Sequence, residues 1–86
     1  MKVVAKPIDM IAIFTKEGIP TPVRFKYYED DSATVIKVDR VMIRETEKFA
    51  GNNMFVFRCQ SLIGDIQKVY ELKYELATCK WILFKI

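Results

Sequence analysis

The 86-residue chain contains no histidine. That absence removes the commonest general base and the commonest transition-metal ligand together. Two cysteines, Cys59 and Cys79, fall short of the ligand set of a structural zinc site, and a cysteine nucleophile would lack its usual imidazole partner. Glycine is scarce: Gly18, Gly51 and Gly64 stand alone, each with a turn or cap to explain it, so no glycine-rich phosphate loop can be assembled. No run approaches the ~18 uninterrupted apolar residues of a membrane-spanning helix. Asp9 interrupts the first apolar stretch and no small-residue cleavage site follows, which argues against a signal peptide. These absences predict a cytoplasmic protein that is not an enzyme, with no catalytic residue, metal, cofactor or small-molecule substrate.

What is present is apolar and alternating. Hydrophobic residues make up 51% and charged residues 29% of the chain, a balance that suits a folded domain and not a disordered tail. A chain this short commits most of its apolar residues to one core, so residues 1–86 are read as a single domain. The net charge of +3 permits an anionic partner without demanding one.

The last third carries the clearest pattern. Met54 to Ile63, Ile66 to Leu76 and Cys79 to Ile86 alternate apolar and polar residues and are separated only by turn residues. In an antiparallel pair, opposite residues have a constant number sum and successive side chains alternate faces. A turn at Gly64 and Asp65 sets Phe55 opposite Tyr74, Phe57 opposite Leu72 and Cys59 opposite Tyr70. A turn at Ala77 and Thr78 sets Tyr74 opposite Trp81, Leu72 opposite Leu83 and Leu76 opposite Cys79. All of these share one face, and the reverse face pairs Arg58 with Glu71 and Glu75 with Lys80. A one-residue slip would turn Phe55, Phe57 and Trp81 outward, so the register is strongly specified. Both cysteines fall at inward positions, where free thiols are common, and an intervening strand separates them, which disfavours a disulfide.

Earlier in the chain, residues 8 to 14 predict a strand ending at Thr15-Lys16-Glu17-Gly18. A second strand is expected from about Thr21 to Tyr28 and a third from Ala33 to Asp39, with Val23 opposite Val38, Phe25 opposite Ile36 and Tyr27 opposite Thr34. Glu29, Asp30 and Asp31 form the polar turn between them. Clustered carboxylates can hold calcium or act as an acid/base pair, but aspartates at a hairpin tip are explained by local hydrogen bonding. Near Asp39 and Arg40 the alternation changes phase, which predicts a β-bulge. Arg44 to Ala50, rich in Glu and Lys and followed by Gly51 in a C-cap position, predicts a short helical turn anchored by Phe49. The expected fold is therefore all-β and mainly antiparallel. It is a small bent sheet or partly closed barrel of about six strands with one short helical turn.

Two surfaces stand out as candidate binding faces. In the first, Val56, Ile82, Phe84 and Ile86 form an apolar stretch that the N-terminal strand or another chain must cover, which predicts protein–protein association as a homodimer. In the second, Arg24 lies opposite Lys37 with Lys26 and Tyr28 beside them and Arg40 and Arg44 extending the patch. Like charges placed directly opposite call for a counter-charge or a partner. A basic strand face carrying an aromatic is how small β domains hold single-stranded nucleic acid, cations on phosphates and rings under bases. Association through the apolar face is the first reading and weak nucleic-acid or other anion binding the alternative.

The order Lys6-Pro7-Ile8, Gly18 with Pro20 and Pro22, Val23-Arg24-Phe25, Val35-Ile36-Lys37-Val38, Tyr70-Glu71-Leu72-Lys73-Tyr74 and Trp81 resembles a family of short uncharacterised bacterial proteins, conserved hypothetical proteins of about this length from Gram-positive anaerobes. The resemblance spans nearly the whole chain and implies an intracellular bacterial domain without supplying an activity. The opening strand, proline-bearing turn and following strand are also similar to small β domains appended to DNA-repair polymerase-like proteins. That similarity is short and transfers no residue.

Overall fold

Every residue from Met1 to Ile86 is described by a computed structural model. Seven strands account for about three quarters of them: β1 (Val3–Phe14), β2 (Pro20–Glu29), β3 (Ser32–Lys37), β4 (Arg40–Phe49), β5 (Asn52–Ile63), β6 (Ile66–Glu75) and β7 (Lys80–Lys85), with no helix. They form one antiparallel sheet in the order β3-β2-β1-β7-β6-β5-β4. Consecutive strands are therefore neighbours everywhere except at β3 and β4, and β1 sits beside β7. β3 and β4 run in the same direction, one following the other through Val38–Asp39, and do not pair with each other, so the sheet is bent and not closed.

The bend is made by β1, which belongs to two limbs. Its first half, Val3–Ile8, pairs with β7, and its second half, Asp9–Phe14, pairs with β2. The pairing with β7 shifts register between Val3 and Lys6, where Ala5 takes a positive φ of 45°, and the pairing with β2 shifts between Ile11 and Ala12. Bulges of this kind increase local twist and allow one strand to pass from one face of a core to the other.

The expected pairs of the C-terminal meander are observed, Phe57 opposite Leu72, Leu72 opposite Leu83 and Tyr74 opposite Trp81 included, except that Leu76 and Cys79 lie in the turn and do not pair. The expected β2–β3 register is likewise observed. Gly64, with φ 61°, begins a two-residue turn of the kind whose twist suits a hairpin. The alternating residues assemble one core of Phe25, Ile36, Phe57, Cys59, Tyr70, Leu72, Tyr74, Trp81 and Leu83, with Phe25 of one limb 5.5 Å from Tyr70 of the other. Truncating Leu72 to alanine at its centre would cost about 3 kcal/mol.

Five expectations are corrected. There are seven strands where about six were expected, because β4 is a strand. The Arg44 to Ala50 segment is the end of β4 and the start of its turn, not a helical turn, and Phe49 is 78% exposed and anchors nothing. Its Glu and Lys content belongs to an edge strand, where charge discourages further pairing. Gly51 is not a helix cap: Ala50 and Gly51 both have positive φ, 52° and 81°, as a two-residue hairpin turn of mirror-image type requires. The phase change near Asp39 is a strand crossing, since β3 stops at Lys37 and Val38–Asp39 leads to the opposite edge of the sheet. A register shift follows later, between Val41 and Ile43. Finally, Cys79 is exposed, in a four-residue turn from Leu76 to Cys79 where its φ is 59°, whereas Cys59 is fully buried and both thiols are free.

A buried hydroxyl pair ties the crossing down. The Ser61 hydroxyl donates to the Lys37 carbonyl at 2.6 Å. Its single proton is thereby used, so the Tyr70 hydroxyl, 2.6 Å away, donates to Ser61 Oγ. The Asp39 N–H donates to the same oxygen at 3.3 Å, and Asp39 Oδ2 accepts the Leu62 N–H at 2.8 Å. Ser61 and Tyr70 are both fully buried, and burial pushes the Tyr70 phenol well above its ordinary range despite the Ser61 hydrogen bond. This latch fixes the end of β3 against β5 and so sets the position of Lys37.

Candidate functional site

The limb made by β1, β2 and β3 turns one face to the core and the other to solvent. Inward residues at Phe25 and Ile36 leave Arg24, Lys26, Tyr28, Val35 and Lys37 on the outer face by strict alternation. Register then assembles rows across the three strands. Ile11 lies opposite Arg24, which lies opposite Lys37. Asp9 lies opposite Lys26, which lies opposite Val35. Tyr28 completes the face at the hairpin end, opposite Ala33. Along β2, Tyr28 is four positions from Arg24, a distance of about 13 Å at the usual rise.

None of Arg24, Lys26 and Lys37 takes part in an ion pair; the three ion pairs of the chain involve Lys6, Arg58 and Lys73. Asp9 is the only carboxylate in the rows, and it accepts a hydrogen bond from the Tyr28 hydroxyl at 3.2 Å. The Lys26 ammonium lies 5.5 Å from the Tyr28 ring centroid. Its pKa is raised, by the Tyr28 hydroxyl foremost and by the Asp9 carboxylate to a smaller degree, so it carries its charge throughout the neutral range. Between these groups lies a shallow depression of about 270 Å³ lined by Asp9, Ile11, Arg24, Lys26 and Val35. Ile11 and Val35 at its rim are 62% and 60% exposed.

Arg40 stands apart from this group. It opens β4 opposite Gln60, on the far side of the Val38–Asp39 crossing. Arg44 is also on β4, and its guanidinium lies 5.9 Å from the Phe55 ring centroid.

The second candidate face behaves differently. Ile82 lies opposite Lys73, and Val56 lies opposite Lys73 from the other side, so the lysine sits among the apolar residues. Its ammonium is 3.7 Å from the Phe84 ring centroid and 3.0 Å from Glu47 Oε2. The lysine stem and the Glu47 pair cover part of the patch from within the chain, in the manner of an amphipathic side chain lying along apolar surface. Val56, Ile82 and Phe84 are half-buried as a result. The N-terminal strand does not lie over this face; it pairs edge to edge with β7. A groove of about 380 Å³ remains, lined by Ala5, Met54, Ile82 and Phe84 with Phe49 at its rim. Ile86 is not part of this patch: it packs half-buried against the core, and its backbone pairs with Lys2.

Burial pushes the Cys59 thiol up to about 12, so it stays protonated and unreactive at neutral pH. No three acidic or cysteine side chains converge on a point where a metal ion would sit. No helix is long and apolar enough to cross a membrane. Sequence reasoning missed the Ser61–Tyr70 latch, whose signal was a serine in phase with Phe57 and Cys59 at a position reserved for the core. No family model matches the chain, and neither a curated protein nor a solved structure matches it.

Proposed function

We propose that the protein is a cytoplasmic, non-enzymatic binding module that holds single-stranded nucleic acid on the outer face of β1, β2 and β3. The observation that carries this reading is the cross-strand pair of Arg24 and Lys37, two cations set directly opposite each other with no carboxylate bound to either. Such a pair destabilises the free protein by about 0.2–1 kcal/mol, and an anion between the two side chains relieves it. Lys26 supplies a third cation, and Tyr28 with Ile11 and Val35 supplies flat and apolar surface for bases. Nothing in the set reads base edges, so binding is insensitive to sequence.

Neutralising about three phosphates of a single strand gives a slope of about −2 for log affinity against log salt, or roughly a twentyfold loss for a fourfold rise in salt. Fluorescence anisotropy of labelled DNA and RNA oligomers, titrated at low and at physiological salt, measures this. Binding that weakens with that slope and is lost in Arg24→Glu/Lys37→Glu supports the reading. No binding at low salt sinks it. Association through Val56, Ile82 and Phe84 is the weaker proposal, because Lys73 and Glu47 already occupy that patch; a change of assembly state in Phe84→Asp would revive it.

A further inference from the structure

The bent sheet has two terminal strands, β3 and β4, and they are protected unequally. In the two-residue hairpin between β2 and β3, Glu29 and Ser32 flank the turn. The Val38 N–H donates to the Val23 carbonyl at 2.9 Å, in phase with the Phe25–Ile36 and Tyr27–Thr34 pairs. The even-numbered residues of β3 are thus bonded to β2, and antiparallel alternation turns the N–H and C=O groups of Ala33 and Val35 toward the open edge. The Lys37 carbonyl also faces that way, which is why Ser61 can bond it. Between the latch and the hairpin tip, the edge presents Ala33, Thr34 and Val35, with no charge, proline or bulge among them.

A strand edge of this kind is a template for another strand unless it is blunted. On β4 it is blunted by charge. A second copy pairing antiparallel about a two-fold axis must match residues whose numbers sum to an even value. Any such register centred on residues 44 to 48 sets like charges opposite each other: Arg44 on itself, Glu45 on itself, Arg44 on Lys48, Glu47 on itself or Lys48 on itself. On β3 the register centred on Thr34 does the reverse. It pairs Ala33 with Val35 of the second copy in both directions, keeps all four new backbone bonds clear of the latch, and sets Asp31 opposite Lys37 of the second copy at both ends.

We propose that two copies of the chain associate edge to edge through β3 in this register. The contact is small, four backbone hydrogen bonds and two pairs of opposite charge, so the dimer forms at high protein concentration and dissociates on dilution. It joins the two outer faces into one continuous sheet surface. The Arg24, Lys26 and Lys37 groups of both copies then lie on the same side. A single strand of nucleic acid bridging both faces would favour the dimer, but the association stands on the edge geometry alone and is measured without nucleic acid.

Sedimentation equilibrium over a wide concentration range tests it. The wild type is expected to approach dimer mass at the highest concentrations. Val35→Pro removes an N–H that β2 does not use and is expected to remain monomeric. Asp31→Lys is expected to weaken association about tenfold, and Asp31→Lys/Lys37→Asp to restore it by exchanging the partners. A wild type that stays monomeric overturns the proposal, and so does a dimer that persists in both Val35→Pro and Asp31→Lys. A dimer abolished by Phe84→Asp and untouched by Asp31→Lys assigns association to the other limb and equally overturns it.

Discussion

On the limb of β5, β6 and β7, Arg58 lies opposite Glu71 and Lys73 reaches Glu47. On the limb of β1, β2 and β3, Arg24 lies opposite Lys37 and neither meets a carboxylate. Both outer faces mix cations with exposed aliphatic and aromatic side chains, so composition does not separate them. Pairing does. The first face satisfies its charges internally and uses a lysine stem to cover its aromatic ring. The second leaves its cations free and its Ile11 and Val35 mostly exposed. A face completed by its own chain contributes to stability, whereas a face left incomplete costs some stability and has capacity for a partner.

The largest expected effect comes from cutting what joins the limbs. Ser61→Ala leaves the Tyr70 hydroxyl, the Lys37 carbonyl and the Asp39 N–H without their shared partner, and a loss of about 3 kcal/mol is expected in denaturant unfolding. Tyr70→Phe removes one hydroxyl and leaves Ser61 its other two partners, so it is expected to cost less, about 1 kcal/mol. Equal losses in the two variants would mean that the latch is not organised around Ser61.

Next come matched lysine substitutions, one on each limb. Lys73→Ala gives up the Glu47 pair and the contact with the Phe84 ring, and a loss of about 1 kcal/mol is expected. Lys37→Ala relieves the repulsion from Arg24 and is expected to leave stability unchanged or raised by about 0.3 kcal/mol. Thermal unfolding of the pair reads the comparison directly; a greater loss in Lys37→Ala would reverse the roles assigned to the two faces.

The smallest effect concerns pH. Glu75 is held below its ordinary carboxylate value by the Thr78 hydroxyl first, then by Asn52 and by Lys80. A carboxyl group whose folded pKa is depressed adds stability above its unfolded pKa and loses it as the pH falls through the folded value. Acidification is therefore expected to destabilise the wild type slightly more than Glu75→Gln, with the difference confined to the range below the usual carboxylate pKa. Parallel pH profiles of the two unfolding midpoints would contradict this.

The C-terminal meander was legible because two constraints agreed. Gly64 begins a tight turn, and only one register then puts Phe57, Leu72 and Leu83 on the face opposite Arg58 and Glu71. The same logic exposed the cation pair at Arg24 and Lys37. Arg44 to Ala50 was misread because charge density on an edge strand imitates the composition of a solvated helix, and this end of β4 is mostly exposed on both faces and so carries no apolar alternation. Cys79 was misplaced because a left-handed residue closing a four-residue turn breaks the alternation by which it was assigned inward. The covering of Phe84 was not legible, since the reach of Lys73 to Glu47 spans three strands and depends on side-chain conformation.

The most direct measurement is nuclear magnetic resonance mapping of backbone amides as a single-stranded oligonucleotide is added at low salt. The account predicts that shifts concentrate at Ile11, Arg24, Lys26, Val35 and Lys37 and leave Met54, Val56, Ile82 and Phe84 in place. Shifts confined to the Val56, Ile82 and Phe84 face, or no shifts on either limb, would contradict it.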